Sequence, residues 1–524
     1  MVTQTVETTA MRWKPPAAMS AERAGEIVLS FLDTATTALG RSTAYNTKIE
    51  QQRAELAAHS MLLGLDRGLY ALILTLPGTT DRARQVGLKN LLGHGRDGSQ
   101  SVLDALAEGQ VLRRLVDELP PQRVLKLFET LRVGSEEDGI RRANNARTRK
   151  LVLRVLLSSS RLELWAVKYR AKVARALTHA WGERKTGIVR AILAKEDAVW
   201  TAKERSILQK AIDRYAPLDA ARVYACVGFV LGDAHWSTLP LLHAFEAAKR
   251  DLAAGAKLPP EVLEGIRSVF HRKTPKEEVL RLTAKNLTKT QALVVQKRAE
   301  EAHVEIRMNP EDHDAVRLYV YAFEMGMTPE IASALRGKAR SAAKALPLRY
   351  DSVGILVDAS ASMLGGTDQR LRPMASVLAL RDVLQHVGRA TVVYAGGHAD
   401  GELLVRPSGD TSLAEGLLDL VEARPEAIFV LSDGYENRPA GRFSDVVDAL
   451  REIGITTPIY HLNPVFAAEA KGVRELCPAL VPTLPANRPD ALGLAFVRGM
   501  LQIEPLAGIG SLIGMTLPPL SGGA

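Results

Sequence analysis

Apolar periodicity changes once along this chain, near residue 350, and that change constrains the fold more than any other feature. Before it, AERAGEIVLSFLDTATTALG (21–40), KIEQQRAELAAHSMLLGLDRGLYALILTL (48–76), QSVLDALAEGQVLRRLVDEL (100–119) and PQRVLKLFETLRV (121–133) repeat apolar residues three and four apart, the period of amphipathic helices. Breakers separate them: Pro77-Gly78, GHGRDG at 93–98, Pro120-Pro121 and Gly134. The spacing is about 20 residues per helix and turn, the size of half a HEAT-like unit. No fixed motif recurs, so a repeat array and an irregular bundle both remain open for 21–345. After LPLRY (346–350) the runs VGILVD (353–358), ATVVYAG (390–396), AIFVLSD (427–433) and TPIYHL (457–462) alternate with helical patterns near 371–387, 412–423, 441–453 and 489–502. Such alternation predicts an α/β domain over 346–505 with a mainly parallel, doubly wound sheet. LLV (403–405) is a possible antiparallel edge strand.

The expected multidomain organisation is an irregular arm at 1–20, a helical HEAT-like module at 21–345, the α/β domain at 346–505 and an apolar tail at 506–524. PLAGIGSLIGMTLPPLSGGA, the tail, is too broken by proline and glycine for a membrane helix and reads as an extended strap. With 524 residues, two to four domains are the expectation. The N-terminus lacks a basic region followed by an apolar run, so no signal peptide is expected. No apolar stretch approaches the roughly 18–20 residues of a membrane span. Cys226 and Cys477 lie far apart without CxxC spacing, which argues against a disulfide framework or a structural zinc site and suits a reducing cytoplasm.

Charge separates the two halves. Residues 351–524 hold 13 Lys+Arg and 20 Asp+Glu, a net of −7, leaving +16 for 1–350. Within the latter, 141–210 carries 18 basic and 5 acidic side chains, a net of +13. An asymmetry of this size suggests a polyanion partner for the helical half.

In the α/β half, Asp358, Ser360 and Ser362 follow the first strand as DASAS, Thr411 lies in SGDTSLAEGL and Asp433 ends IFVLSD. Ligands gather outside the carboxyl ends of strands in such folds. Two carboxylates and three hydroxyls converging from three loops make an all-oxygen site suited to Mg²⁺. Each piece alone has a plainer reading, as a strand end with capping serines, a helix N-cap or a turn; their combination in this order is more specific. These residues resemble the metal-ion-dependent adhesion site of a von Willebrand factor A domain. The resemblance covers about 350–505 and implies ligand binding through a divalent metal at Asp358, Ser360, Ser362, Thr411 and Asp433. A nucleophilic Ser360 would need a base, and neither His386 nor His398 sits in a triad context. Walker A, GxSxG and HExxH sequences are absent, so no enzymatic activity is expected.

In the basic half, WAVKYRAKVARALTHAWGERK (165–185) reads as one helix. Lys168, Lys172, Arg175 and His179 then form a stripe beside an apolar stripe of Tyr169, Val173, Leu177 and Ala180. Upstream, Arg147, Lys150 and Arg154 share a face, so two adjacent helices would present one basic surface. A solvated face is the plain alternative, but +13 over 70 residues favours phosphate contact. Scarce aromatics point to backbone and shape recognition. A helical array with a basic segment followed by an A domain resembles the Ro autoantigen-like, TROVE-domain family. WAVKYRAKVARALTHAWGERK is similar to that family's basic helix, and SASM after Asp358 to its A-domain loop. The resemblance implies a HEAT-repeat ring closed by the A domain, a monomer within a ribonucleoprotein. Such rings thread single-stranded 3′ ends of misfolded RNAs and hold small noncoding RNA outside. The competing reading is a Mg²⁺-dependent protein-interaction adaptor, for instance beside an AAA+ ATPase.

Overall fold

The computed structural model describes residues 13–43, 46–95, 103–134, 145–232, 239–346, 349–437, 439–467 and 472–516. The chain is mainly helical and forms two compact units, one from 1–91, 96–119 and 310–524, the other from 92–95 and 120–309.

The first unit is built on five parallel strands. They are β1 (Ser352–Asp358), β2 (Arg389–Ala395), β5 (Ala427–Leu431), β6 (Ile459–Asn463) and β9 (Thr483–Pro485), in the order β2-β1-β5-β6-β9. Register pairs Ile355 with Val392 on one side and with Phe429 on the other. β1 and β5 read as continuous apolar runs because both faces are covered. On one face Leu356, Ile428 and Val430 pack with Leu413, Leu417 and Leu420 of the helix Leu413–Glu422 and Phe443, Val447 and Leu450 of the helix Arg442–Glu452. The alternate residues turn to the other face, where the helix Arg372–Leu384 packs on β1 and β5. That helix is buried along nearly its whole length because Ala315–Met325 and Pro329–Ala345 cover its outer side.

LLV is not at an edge of this sheet. Leu404 and Val405 of it lie in β4 (Leu404–Arg406), which pairs antiparallel with β3 (His398–Asp400) in a separate ribbon. A second ribbon joins β7 (Phe466–Ala467) and β8 (Gly472–Val473). The sequence pattern gives no sign of β9, because three residues ending in proline carry no period.

The helix Ala21–Thr37 packs on Lys48–Leu65, β9, Leu492–Ile503 and Pro505–Thr516. Asp33 on it meets Arg498 at 3.2 Å, both buried; losing either partner of such a pair strands a buried charge. The tail therefore corrects the strap expectation: Pro505–Thr516 is a helix. Ile509, Leu512 and Ile513 bury the i, i+3, i+4 face of that helix, and Gly25 lets Pro505 approach closely enough that a Cβ there would lie 3.0 Å away. Tertiary burial of this stripe outweighs its glycine content. Residues 517–524, like 1–12 of the expected arm, lie outside the described residues.

In the second unit the helix Arg170–Trp181 is central, packed by Pro121–Val133, Ala146–Leu157, Glu183–Leu193 and Ala220–Leu231. Among the described residues no helix is long and apolar enough to cross a membrane.

Candidate ligand site at the carboxyl ends of the strands

The chain leaves β1 toward β2 on one side and then returns to β5 on the other, so the order reverses beside β1. Asp358 ends β1 and Asp433 follows β5, on either side of the crevice such a reversal opens. Asp358 is wholly buried, with the Ser360 backbone N–H donating to Oδ1 at 3.0 Å and the Ser432 hydroxyl to Oδ2 at 2.7 Å. Ser360 Oγ and Ser362 Oγ share a hydrogen bond of 3.0 Å. Asp433 accepts the Tyr435 backbone N–H at 3.1 Å and the Ser362 hydroxyl. Thr411 is brought in by a loop laced to the first one, with Ala361 N–H donating to Gly409 O at 3.0 Å and Ser408 N–H to Ala359 O at 2.9 Å. The five residues that the sequence selected thus lie on three neighbouring loops.

Two physical features of the cluster bear on what it could hold. Thr411 is 0% exposed, yet among the described residues its Oγ1 has no hydrogen-bond partner, and a buried unsatisfied hydroxyl is costly. The two carboxylates also share one buried place. Burial raises the Asp358 pKa, and burial together with the Asp358 charge pushes Asp433 up to about 7. A cation among these oxygens would relieve both costs. Among the described residues no group of three or more His, Cys, Asp or Glu is placed to hold a metal; the donors here are two carboxylates with hydroxyls, a hard-oxygen set.

Several residues outside the five selected from sequence hold this site. Ser432, adjacent to Asp433, orients Asp358. Asn463 Nδ2 donates to the carbonyls of Asp433 at 3.0 Å and Arg474 at 2.9 Å. Arg474 lies over the Tyr435 ring at 3.8 Å and opposes the upward shift of Asp433. His461 bridges Thr483 Oγ1 and Ser432 O at 3.0 and 3.1 Å, and burial lowers its pKa to about 4. Of these only Ser432 had a sequence signal, its place in LSDG; the others arrive from strand ends distant in the chain.

Gly434 adopts φ +82°, and a Cβ there would meet the Arg474 carbonyl oxygen at 2.7 Å. Gly434→Ala is expected to destabilise the protein by about 2 kcal/mol or more, combining the left-handed conformation with the close approach. A denaturation midpoint unchanged from wild type would remove this role.

The basic residues are placed differently from the stripe expected of one helix. Segment 165–185 breaks at Tyr169, which ends Leu162–Lys168 and starts Arg170–Trp181 at φ −127°, ψ 30°. Both halves touch Ala220–Leu231, but the first also packs on Pro240–Ala247 and the second on Pro121–Val133 and Ala146–Leu157. Packing overrides the continuous period. His179 is buried, 9% exposed, so it does not belong to a surface stripe. Lys168 meets Glu261 at 3.3 Å and Arg175 meets Glu129 at 3.2 Å, pairs at the surface. Lys172 is half-buried beside Arg175, while Lys150 and Arg154 are exposed and Arg147 half-buried on Ala146–Leu157. That helix does pack against Arg170–Trp181.

No model of a known protein family matches this chain, and none of the curated proteins searched does.

Proposed function

We propose that the protein is a cytoplasmic RNA-binding scaffold of the Ro type, binding small noncoding and misfolded RNAs with single-stranded 3′ ends in RNA quality control or degradation, without catalysis of its own. The observation that carries this reading is the +13 of segment 141–210, in a compact unit where Lys150, Arg154, Lys172 and Arg175 lie on two packed helices. The surface pairs of Lys168 and Arg175 are worth little in water and open readily to phosphate. In this reading the helices form a HEAT-like array and 346–505 a von Willebrand A domain.

A divalent cation, Mg²⁺ by the hardness of the donors, is held by Asp358, Ser360, Ser362, Thr411 and Asp433. It supplies a Lewis-acidic docking point for an anionic ligand. The residues themselves orient that point: Ser432 fixes Asp358, Asn463 fixes the Asp433 loop, and Ser362 bonds Asp433 and, through Ser360, reaches Asp358. The orphaned Thr411 Oγ1 favours the second reading as well, an adaptor that binds a partner protein through this site.

The test is binding of the purified, nuclease-treated protein to structured RNA with a single-stranded 3′ tail, across salt, against blunt RNA and duplex DNA. Tail-dependent binding that falls steeply with salt is expected. Weak binding indifferent to the tail would overturn the RNA reading and favour the adaptor.

A further inference from the structure

A second cationic feature of the helical unit lies outside the stripe. The turn Gln209–Asp213 is a π-helix, closed by Arg214 N–H donating to Gln209 O at 3.3 Å. Such a turn inserts one residue and re-aims the side chains after it, and is often found at functional sites. Here it delivers Arg214 and Tyr215. The Arg214 guanidinium lies over the Tyr215 ring at 4.6 Å and donates to its hydroxyl at 2.5 Å. Arg214 remains exposed and Tyr215 half-exposed.

Lys185, in the first turn of Glu183–Leu193, lies within the electrostatic reach of Arg214. Burial and that neighbouring charge lower its pKa, and no carboxylate offsets them. Asp213 and Asp219, on either side of Arg214 in the sequence, are already engaged, as is Glu204. Asp213 accepts the Tyr224 hydroxyl, Glu204 holds Lys195 at 2.6 Å and caps Thr201, and Asp219 holds Arg222. Among the described residues neither Lys185 nor Arg214 has an acidic partner. A guanidinium within electrostatic reach of a partly desolvated ammonium favours an anion that both can meet. A guanidinium already seated on an aromatic face adds a platform of the kind that takes a nucleobase.

We infer that Lys185, Arg214 and Tyr215 form a contact for one nucleotide of single-stranded RNA, its phosphate between the two cations and its base on the Tyr215–Arg214 platform. This rests on the RNA-binding reading above and adds a contact at a separate place.

The experiment titrates the full chain with a fluorescein-labelled 12-nucleotide oligouridylate between 50 and 300 mM salt. Lys185→Gln/Arg214→Gln is expected to flatten the dependence of log K on log salt by about 0.7, the one phosphate contact of a single strand. Tyr215→Leu is expected to weaken binding about tenfold with the slope unchanged. Melting curves check that each variant keeps the wild-type fold. Wild-type slope in the double variant and wild-type affinity in Tyr215→Leu would overturn this inference alone, provided the wild-type chain binds. Polyglutamate displacing the oligonucleotide as well as unlabelled RNA does would likewise reduce the place to a general anion surface. A wild-type chain that binds no RNA at any salt overturns the RNA reading and this inference together.

Discussion

Reversing Lys168, Lys172 and Arg175 to Glu together is expected to weaken RNA binding several-hundred-fold at 50 mM salt and to flatten its salt dependence. Each phosphate contact of a single strand contributes about 0.7 to the slope of log K against log salt. Three contacts contribute about 2, and extrapolated from 1 M to 50 mM salt a slope of 2 corresponds to about 400-fold. Lys168 and Arg175 face Glu261 and Glu129 at 3.3 and 3.2 Å. Both pairs are at the surface, where they are worth about 1 kcal/mol or less, so they reduce this effect only slightly. His179→Gln should leave affinity unchanged, because His179 is buried within Arg170–Trp181. Wild-type affinity in the triple variant, measured by anisotropy, would show that the cations only solvate the surface.

The second large effect concerns the paired carboxylates, measured without metal. Asp433 has a folded pKa pushed up to about 7 from an ordinary 3.8, so between those values the folded state holds a proton that the unfolded state has released. The associated stability is fully present below the unfolded pKa and is lost as pH rises through about 7. The interval between the two pKa values corresponds to about 4 kcal/mol. In chelator, wild-type protein is therefore expected to lose about that much between pH 4 and 8 from this group, whereas Asp433→Asn loses none of it and is the more stable protein at pH 8. Mg²⁺ should stabilise the wild type increasingly as pH rises and leave both Asp433→Asn and Asp358→Ala without a shift. Equal pH slopes for wild type and Asp433→Asn in chelator would dismiss the repulsive pair; an undiminished Mg²⁺ shift in Asp358→Ala would dismiss the metal.

Much of the α/β half was legible because burial there follows local rules. β1 and β5 are apolar throughout since helices cover both their faces, and polar residues at their carboxyl ends stand out by contrast. Asp358, Ser360, Ser362 and Asp433 could be picked out for that reason, and Thr411 because its loop opens a helix. The supports could not. Asn463 and Arg474 act through hydrogen bonds and contacts to loops 30 or more residues away, which leave no periodic trace.

Sequence alone determined which stretches are amphipathic, where the period changes and where charge accumulates, since these depend on the order of side chains. Only the tertiary structure decided the rest. It broke 165–185 at Tyr169, because its first half also reaches Pro240–Ala247 while its second reaches Pro121–Val133 and Ala146–Leu157, and drew His179 inside. It turned the tail into the helix Pro505–Thr516, because Ile509, Leu512 and Ile513 find apolar cover in the folded unit. It also placed Ala21–Thr37 beside β9 and Arg498, more than 440 residues away in the chain. A period records that a face must be buried; which partner buries it, and where a continuous face must bend to reach that partner, depends on surfaces the chain creates only once it has folded.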